Sequence, residues 1–200
     1  PQGTRAGPDD FRLIINDLLF SLPCVKYVDD VTVASVSRDS SDNRLQEAVD
    51  YLMHWCTDNG MRLNIAKTKE MIVHFGRREL SNAVPMLSIR ASNVERVTTF
   101  KLLGVFFSSD LSWSAHISYI LKKSAKRLYV VYQLVRAGIN TRDIVSVYCS
   151  LIRSILEYAC PVWHAGLTVA QSNDLESVQK RVLRIIFPGL SYNEALVFSG

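Results

Sequence analysis

Long apolar runs are missing from this chain of 200 residues. Although 48% of it is hydrophobic, no uninterrupted stretch approaches the roughly 20 residues of a membrane span. The N-terminus carries no signal-peptide pattern, so no membrane partner is expected. Cysteine is scarce: Cys24, Cys56, Cys149 and Cys160 include no C-x-x-C pair. That argues against a disulfide framework and for a reduced, intracellular chain with buried thiols. Cys149, Cys160 and His164 match no usual zinc spacing and lack a fourth ligand, so they are read as core residues. P-loop, dinucleotide fingerprint, repeats and low-complexity segments are all lacking. None of His54, His74, His116 and His164 stands in a nucleophile–base or metal motif. An initiator methionine is missing too, and the chain is expected to be a piece of a longer polypeptide. A chain of this length and apolar content buries a core without staples.

Charge is present but unevenly placed. Residues 1–113 carry 13 Lys/Arg against 14 Asp/Glu, a net of −1, whereas residues 114–200 carry 10 against 5, a net of +5. A cationic surplus in one half and an acidic pair in the other suit a protein that grips a phosphate backbone beside a metal site. A helical half with solvated Lys/Arg faces fits the same numbers.

The acidic pair is Asp29-Asp30, within Cys24-Val25-Lys26-Tyr27-Val28-Asp29-Asp30-Val31-Thr32-Val33. Val25–Val28 and Val31–Val36 have the composition of strands, and Asp29-Asp30 is predicted to be the two-residue connection of a hairpin. At such a tip two like charges repel and favour a bound divalent cation. Magnesium suits it, because it prefers oxygen ligands and takes one or two carboxylates with substrate phosphates. Two such ions about 3.5–4 Å apart hold the attacking and leaving oxygens of a phosphoryl transfer. An Asp-rich turn with no ligand is the alternative, since Asp is favoured in turns for local reasons.

Along the chain, Gly7-Pro8 followed by Asp9-Asp10 reads as a helix start running to about Phe20. Leu45, Ala48, Val49, Leu52, Met53 and Cys56 recur at helical spacing, with Asn59-Gly60 as the stop. Met61–Ile65, Glu70–Phe75, Met86–Arg90 and Val97–Ser108 read as strands. From about residue 114 three helices are predicted, over 114–136, 141–158 and 169–187, with Ser114, Thr141 and Thr168 as N-caps. The division between a mixed α/β region, 1–112, and a helical region, 113–200, is placed near residue 112.

Four ordered elements carry a resemblance: Pro1-Gln2-Gly3, Tyr27-Val28-Asp29-Asp30, Leu63-Asn64-Ile65-Ala66-Lys67, and Leu102-Leu103-Gly104-Val105. Together they resemble the reverse transcriptase of non-LTR, LINE-type retrotransposons, and most of all the clade named after chicken repeat 1. The likeness continues through Lys123–Tyr129, Val178–Ile186 and Pro188–Leu196, so it spans essentially the whole chain. It implies an α+β fold: a partial ferredoxin-like polymerase palm over 1–112, followed by a three-helix thumb. The family's first palm strand, with a third metal-binding Asp, would lie upstream, so the upstream part of the polypeptide would be needed. Asp10 departs from the family, which has an apolar residue there.

The resemblance also assigns roles. Asp29 would bridge two Mg²⁺ ions, with Asp30 as the weaker ligand. Tyr27 and Val28 would lie beside the primer terminus, and Gln2 and Gly3 near the templating base and incoming nucleotide. Lys67, or Lys69 two residues on, would stand near the departing pyrophosphate. Leu103 and Gly104 would grip the primer strand; a β-bulge at Gly104 is the alternative. In the first thumb-like helix, Ile117, Ile120, Leu121, Leu128, Val131 and Val135 make the buried stripe, leaving Lys122, Lys123, Lys126 and Arg127 for sequence-independent phosphate contacts. Tyr119, Tyr129 and Tyr132 are read as core or boundary residues rather than sugar contacts. The implied reaction is RNA-directed DNA synthesis on an RNA template and DNA primer from deoxynucleoside triphosphates, in a cytoplasmic ribonucleoprotein and the nucleus. Two other readings share the Asp pair: a catalytically dead, at most nucleic-acid-binding remnant, and an RNA-templated RNA polymerase or intron-type maturase.

Overall fold

A computed structural model describes residues 11, 13–37, 42–75 and 84–199. Gln2, Gly3 and the Gly7–Asp10 helix start lie outside them. The fold is α+β, as expected. The described strands form four separate two-stranded sheets and no continuous ferredoxin-like sheet. The chain divides into two compact units, Pro1–Thr98 and Thr99–Gly200.

In the first unit, residues 13–15 form a helical turn that stops well short of Phe20. Strands β1 (Cys24–Tyr27) and β2 (Asp30–Val33) follow, antiparallel, with Cys24 opposite Val33 and Tyr27 opposite Asp30. Helix α1 (Arg44–Asp58) forms where the apolar spacing places it and ends in a Schellman motif. Gly60 takes φ +65°, and the Met61 and Gly60 amides donate to the Cys56 and Thr57 carbonyls. Ile15, Leu18, Trp55 and Cys56 make the small core here, flanked by Val31, Leu52, Met61 and Leu63.

Of the strands expected between 61 and 90, only β3 (Lys69–Glu70) and β4 (Ser88–Ile89) form. Met61–Ile65 alternates in burial as a strand would, but its backbone finds no ladder partner. β4 pairs with β5 (Ser92–Asn93) about Arg90 and Ala91, both at positive φ. β3 runs parallel to β6 (Glu95–Arg96), with Lys69 opposite Glu95 and Glu70 opposite Arg96. Both opposed pairs are ion pairs, and the buried Glu70 lies 2.9 Å from Arg96 Nε. Charge complementarity on each rung fixes the register of a ladder this short.

The second unit opens with a hairpin, not the single strand predicted over 97–108: β7 (Thr99–Leu102) pairs with β8 (Val105–Ser108). Helix α2 (Ser114–Arg136) buries Ile117, Ile120, Leu128 and Val131, the predicted stripe. It starts after Trp113, so Ser114 is a helical residue and not a cap. Helix α3 (Thr141–Tyr148) is capped by Asn140, whose side chain accepts from the Arg142 amide; Thr141, the predicted cap, is the first helical residue. A π-helical segment, Cys149–Arg153, leads into α4 (Ser154–Leu156), and Ala159 at φ +52° breaks the run before α5 (Cys160–Trp163). Thr168 caps α6 (Val169–Ile186) in a capping box with Gln171. A final helix, α7 (Tyr192–Ser199), was not predicted.

Two apolar clusters hold this unit. One joins Leu128, Val131, Ile144, Tyr148, Ile152, Val182, Leu183 and Ile186. The other joins Val105 of the hairpin to Ile117, Ile120, Ile155 and Trp163. Because Val105 is buried among helical residues, the division falls at Thr98/Thr99, ahead of the position near 112 expected from the sequence. Against the sequence reading, Thr141–Gly166 is long and apolar enough to cross a membrane on length and composition alone. Here Ile144, Tyr148, Ile152, Ile155 and Trp163 within it enter the two clusters.

Candidate active site and nucleic-acid surface

The Tyr27–Asp30 tip differs by one residue from the prediction. Tyr27 pairs with Asp30, so the connecting residues are Val28 and Asp29, and Asp30 begins β2. Val28 has φ +52° and Asp29 does not share the positive sign, the pattern of a type II′ turn. A β-branched residue is disfavoured there, and the register over-determines it. The side chains alternate along the hairpin. Cys24, Lys26, Val31 and Val33 are half-buried, while Val25, Tyr27, Asp30 and Thr32 face outward, with Tyr27 59% exposed. Tyr27 and Asp30 therefore share one open face, and Asp29 projects from the turn.

Neither carboxylate is engaged in an ion pair among the described residues. Two adjacent, exposed and uncompensated carboxylates are oxygen donors of the kind a hard divalent cation takes. No group of three or more His, Cys, Asp or Glu side chains gathers among the described residues, so the pair would hold a cation with further ligands drawn from substrate or water. Lys26, which the sequence reading passed over, anchors the hairpin: its Nζ donates to the carbonyls of Ile15 and Leu18 at 2.8 and 2.5 Å. Only its position on the inward face, known once register is known, marks it for this.

Asn64 builds the loop that carries Lys67. Its side-chain oxygen accepts from the Lys67 amide at 3.2 Å, and its carbonyl accepts from the Thr68 hydroxyl at 2.9 Å. The Lys67 side chain is exposed. Lys69, the alternative, is committed: it donates to the Ala66 carbonyl at 2.8 Å and pairs with Glu95. No contact between Lys67 and the Asp29–Asp30 tip is found.

The Leu103-Gly104 hairpin is a regular two-residue loop, with Leu102 opposite Val105, and no bulge interrupts it. Both loop residues have positive φ, 46° and 89°, which makes a type I′ turn. Gly104 has a reason within the chain. A Cβ there would lie 3.0 Å from Tyr158 Cε1, and the Tyr158 hydroxyl donates to the Leu103 carbonyl at 2.8 Å.

On α2, Lys122, Lys123 and Lys126 are exposed. Arg127 is different: its Nη1 donates to the Leu151 carbonyl, in the π-helical segment, at 2.8 Å. Tyr129 and Tyr132 are exposed rather than core residues, and Arg136 lies 5.8 Å from the Tyr132 ring centre. Beneath the same helix His116 is 1% exposed, between the rings of Trp113 and Trp163. Its Nδ1 accepts from the Phe106 amide at 3.4 Å, while Nε2 has no partner, and burial lowers its pKa.

Comparison with known proteins places this geometry. Residues 1–107 match the family described as reverse transcriptase (RNA-dependent DNA polymerase). The chain belongs to this family. The match takes in the Asp29–Asp30 hairpin, Lys67 and the Leu103-Gly104 turn. The reverse transcriptase chain is also similar to the Retrovirus-related Pol polyprotein from type-1 retrotransposable element R1 of Bradysia coprophila, with 22% identity over 184 residues. That alignment covers 88% of this chain, helical unit included, but only 18% of the polyprotein. No solved structure matches the chain.

Proposed function

We propose that the chain is the part of a non-LTR retrotransposon's RNA-directed DNA polymerase that contains the C-terminal palm, in the first unit, and the thumb, in the second. The observation that carries this is the family match over 1–107 on an exposed carboxylate pair with no ion-pair partner among the described residues. Likeness to a retrotransposon Pol polyprotein supports the non-LTR assignment. The substrates would be an RNA template, a DNA primer and deoxynucleoside triphosphates, in a cytoplasmic ribonucleoprotein and the nucleus.

Asp29 and Asp30 would hold Mg²⁺, two ions in the complete enzyme. Bound there, the metal supplies Lewis-acid polarisation of phosphoryl oxygens. The chain's own residues do the rest. The type II′ turn fixes both carboxylates on a short anchored hairpin, and Tyr27 offers a ring to the primer terminus on the same face as Asp30. Lys67, with no partner among the described residues, is available to neutralise charge on departing pyrophosphate, whereas Lys69 is held by Ala66 and Glu95. Leu103 and Gly104 present a backbone turn to the primer strand, and Lys122, Lys123 and Lys126 give sequence-independent phosphate contacts.

The test is primer extension on an RNA template by the complete polyprotein containing these residues. Asp29→Asn should lower the rate by at least ~10³-fold, a loss of roughly 4 kcal/mol of transition-state stabilisation, with primer–template binding little changed. Extension that survives Asp29→Asn and Asp30→Asn together would sink the assignment.

A further inference from the structure

The basic face of α2 is continued by a group contributed by the neighbouring hairpin. Tyr119, on α2, lies beneath two ammonium groups. Lys101, from β7, places Nζ 4.6 Å from the ring centre and 3.2 Å from the phenol oxygen. Lys123, one helical turn beyond Tyr119, places its Nζ 5.7 Å from the same ring. Lys101 also stands 5.5 Å over the ring of Phe106 on β8, and that ring is 5.0 Å from Tyr119. Ring faces attract cations, so two positive charges are held side by side against their own repulsion.

Nothing described compensates them. Neither lysine takes part in an ion pair with a described residue, and α2 contains five Lys/Arg and no Asp or Glu. The Tyr119 oxygen accepts from Lys101, which leaves its O–H free to donate outward. Lys101 and the other cations lower the acidity constant of that phenol, a further sign of concentrated positive potential. The group thus has three outward donors, two of them charged, over an aromatic floor.

We infer that Lys101, Tyr119 and Lys123 form a seat for one phosphodiester group of a nucleic-acid strand. The seat rests on the nucleic-acid reading above and refines its contacts. Arg127 is removed from the backbone-binding set, because Leu151 holds it, and Lys101 and Tyr119 are added. A strand suits it better than free phosphate for two reasons. The seat is open rather than enclosing, and it continues a row of exposed lysines, Lys122 and Lys126, on the same helix.

The experiment measures binding of a fluorescent RNA–DNA duplex to the full chain across a range of salt. Lys101→Gln with Lys123→Gln should weaken binding about tenfold at low salt and make the log–log salt slope shallower by about 2, one counterion per lost phosphate contact. Tyr119→Phe should weaken binding by a smaller factor and leave the slope unchanged, because the hydroxyl carries no charge. Millimolar inorganic phosphate should not displace the duplex beyond its ionic-strength effect. Unchanged affinity and slope in the double variant, its far-ultraviolet circular dichroism intact, would overturn the seat while sparing the nucleic-acid reading. Displacement by micromolar phosphate would overturn the strand as occupant. Failure of the wild-type chain to bind duplex would overturn both.

Discussion

Buried polar atoms without partners show most sharply what single residues contribute. Tyr148 is 2% exposed in the larger cluster of the second unit, its hydroxyl has no partner, and burial pushes its pKa up to about 12. Removing an orphaned buried hydroxyl while keeping the ring removes a desolvation penalty, so Tyr148→Phe should be neutral or stabilising by up to ~1 kcal/mol in chemical denaturation. His116 gives a pH signature. Burial favours its neutral form, so between its lowered native pKa and about 6.5 the unfolded chain binds more protons than the folded one. Stability of the second unit should be full above about pH 6.5 and fall as pH drops below it. His116→Asn should flatten that dependence in thermal melts between pH 7 and 5; an unchanged profile would count against the protonation account. Some residue-scale features were legible in the sequence and others were not. Asp29 and Asp30 stand exposed at a hairpin tip as read, but the turn sits one residue earlier, because nothing in a valine signals positive φ. Lys101 and Tyr119 gave no signal, since their partnership spans 18 positions and depends on how the hairpin packs on the helix.

Elements with long, uninterrupted periodicity were the readable ones. Helix α1, α2 and α6 follow from apolar spacing and from Asn59-Gly60 and Thr168 at their ends. The short ladders were unreadable, since pairs of two residues rest on cross-strand charges such as Glu70–Arg96 rather than on any run of β-formers. The π-helical segment was equally hidden: it shifts the backbone hydrogen-bond pattern, and Arg127 answers by donating to the Leu151 carbonyl from another helix. Arg127→Met keeps the stem and deletes the donor. It should destabilise the second unit by about 1–3 kcal/mol and leave the salt slope of duplex binding unaltered. A shallower slope with no loss of stability would return Arg127 to the phosphate-binding surface.

At the scale of the whole molecule, two kinds of border fail to coincide. The family match ends at residue 107, inside β8, while the compact units part at Thr98/Thr99. The division predicted near 112 missed because the hairpin reads as sheet and looks as if it belongs with other strands. Val105 instead lies among Ile117, Ile120, Ile155 and Trp163, and Tyr158 closes over Gly104. This bears on how such polymerases exchange parts. A chimaera with a related enzyme joined between Thr98 and Thr99 should keep a cooperative melt in its helical half. One joined after residue 107 brings in a foreign Val105 counterpart and a foreign turn for Tyr158 to close over, and should melt lower and less cooperatively. The hairpin that belongs to the polymerase by ancestry is thus inherited, in folding, as cargo of the helices, and recombination that respects the stretch of shared ancestry would cut through a core.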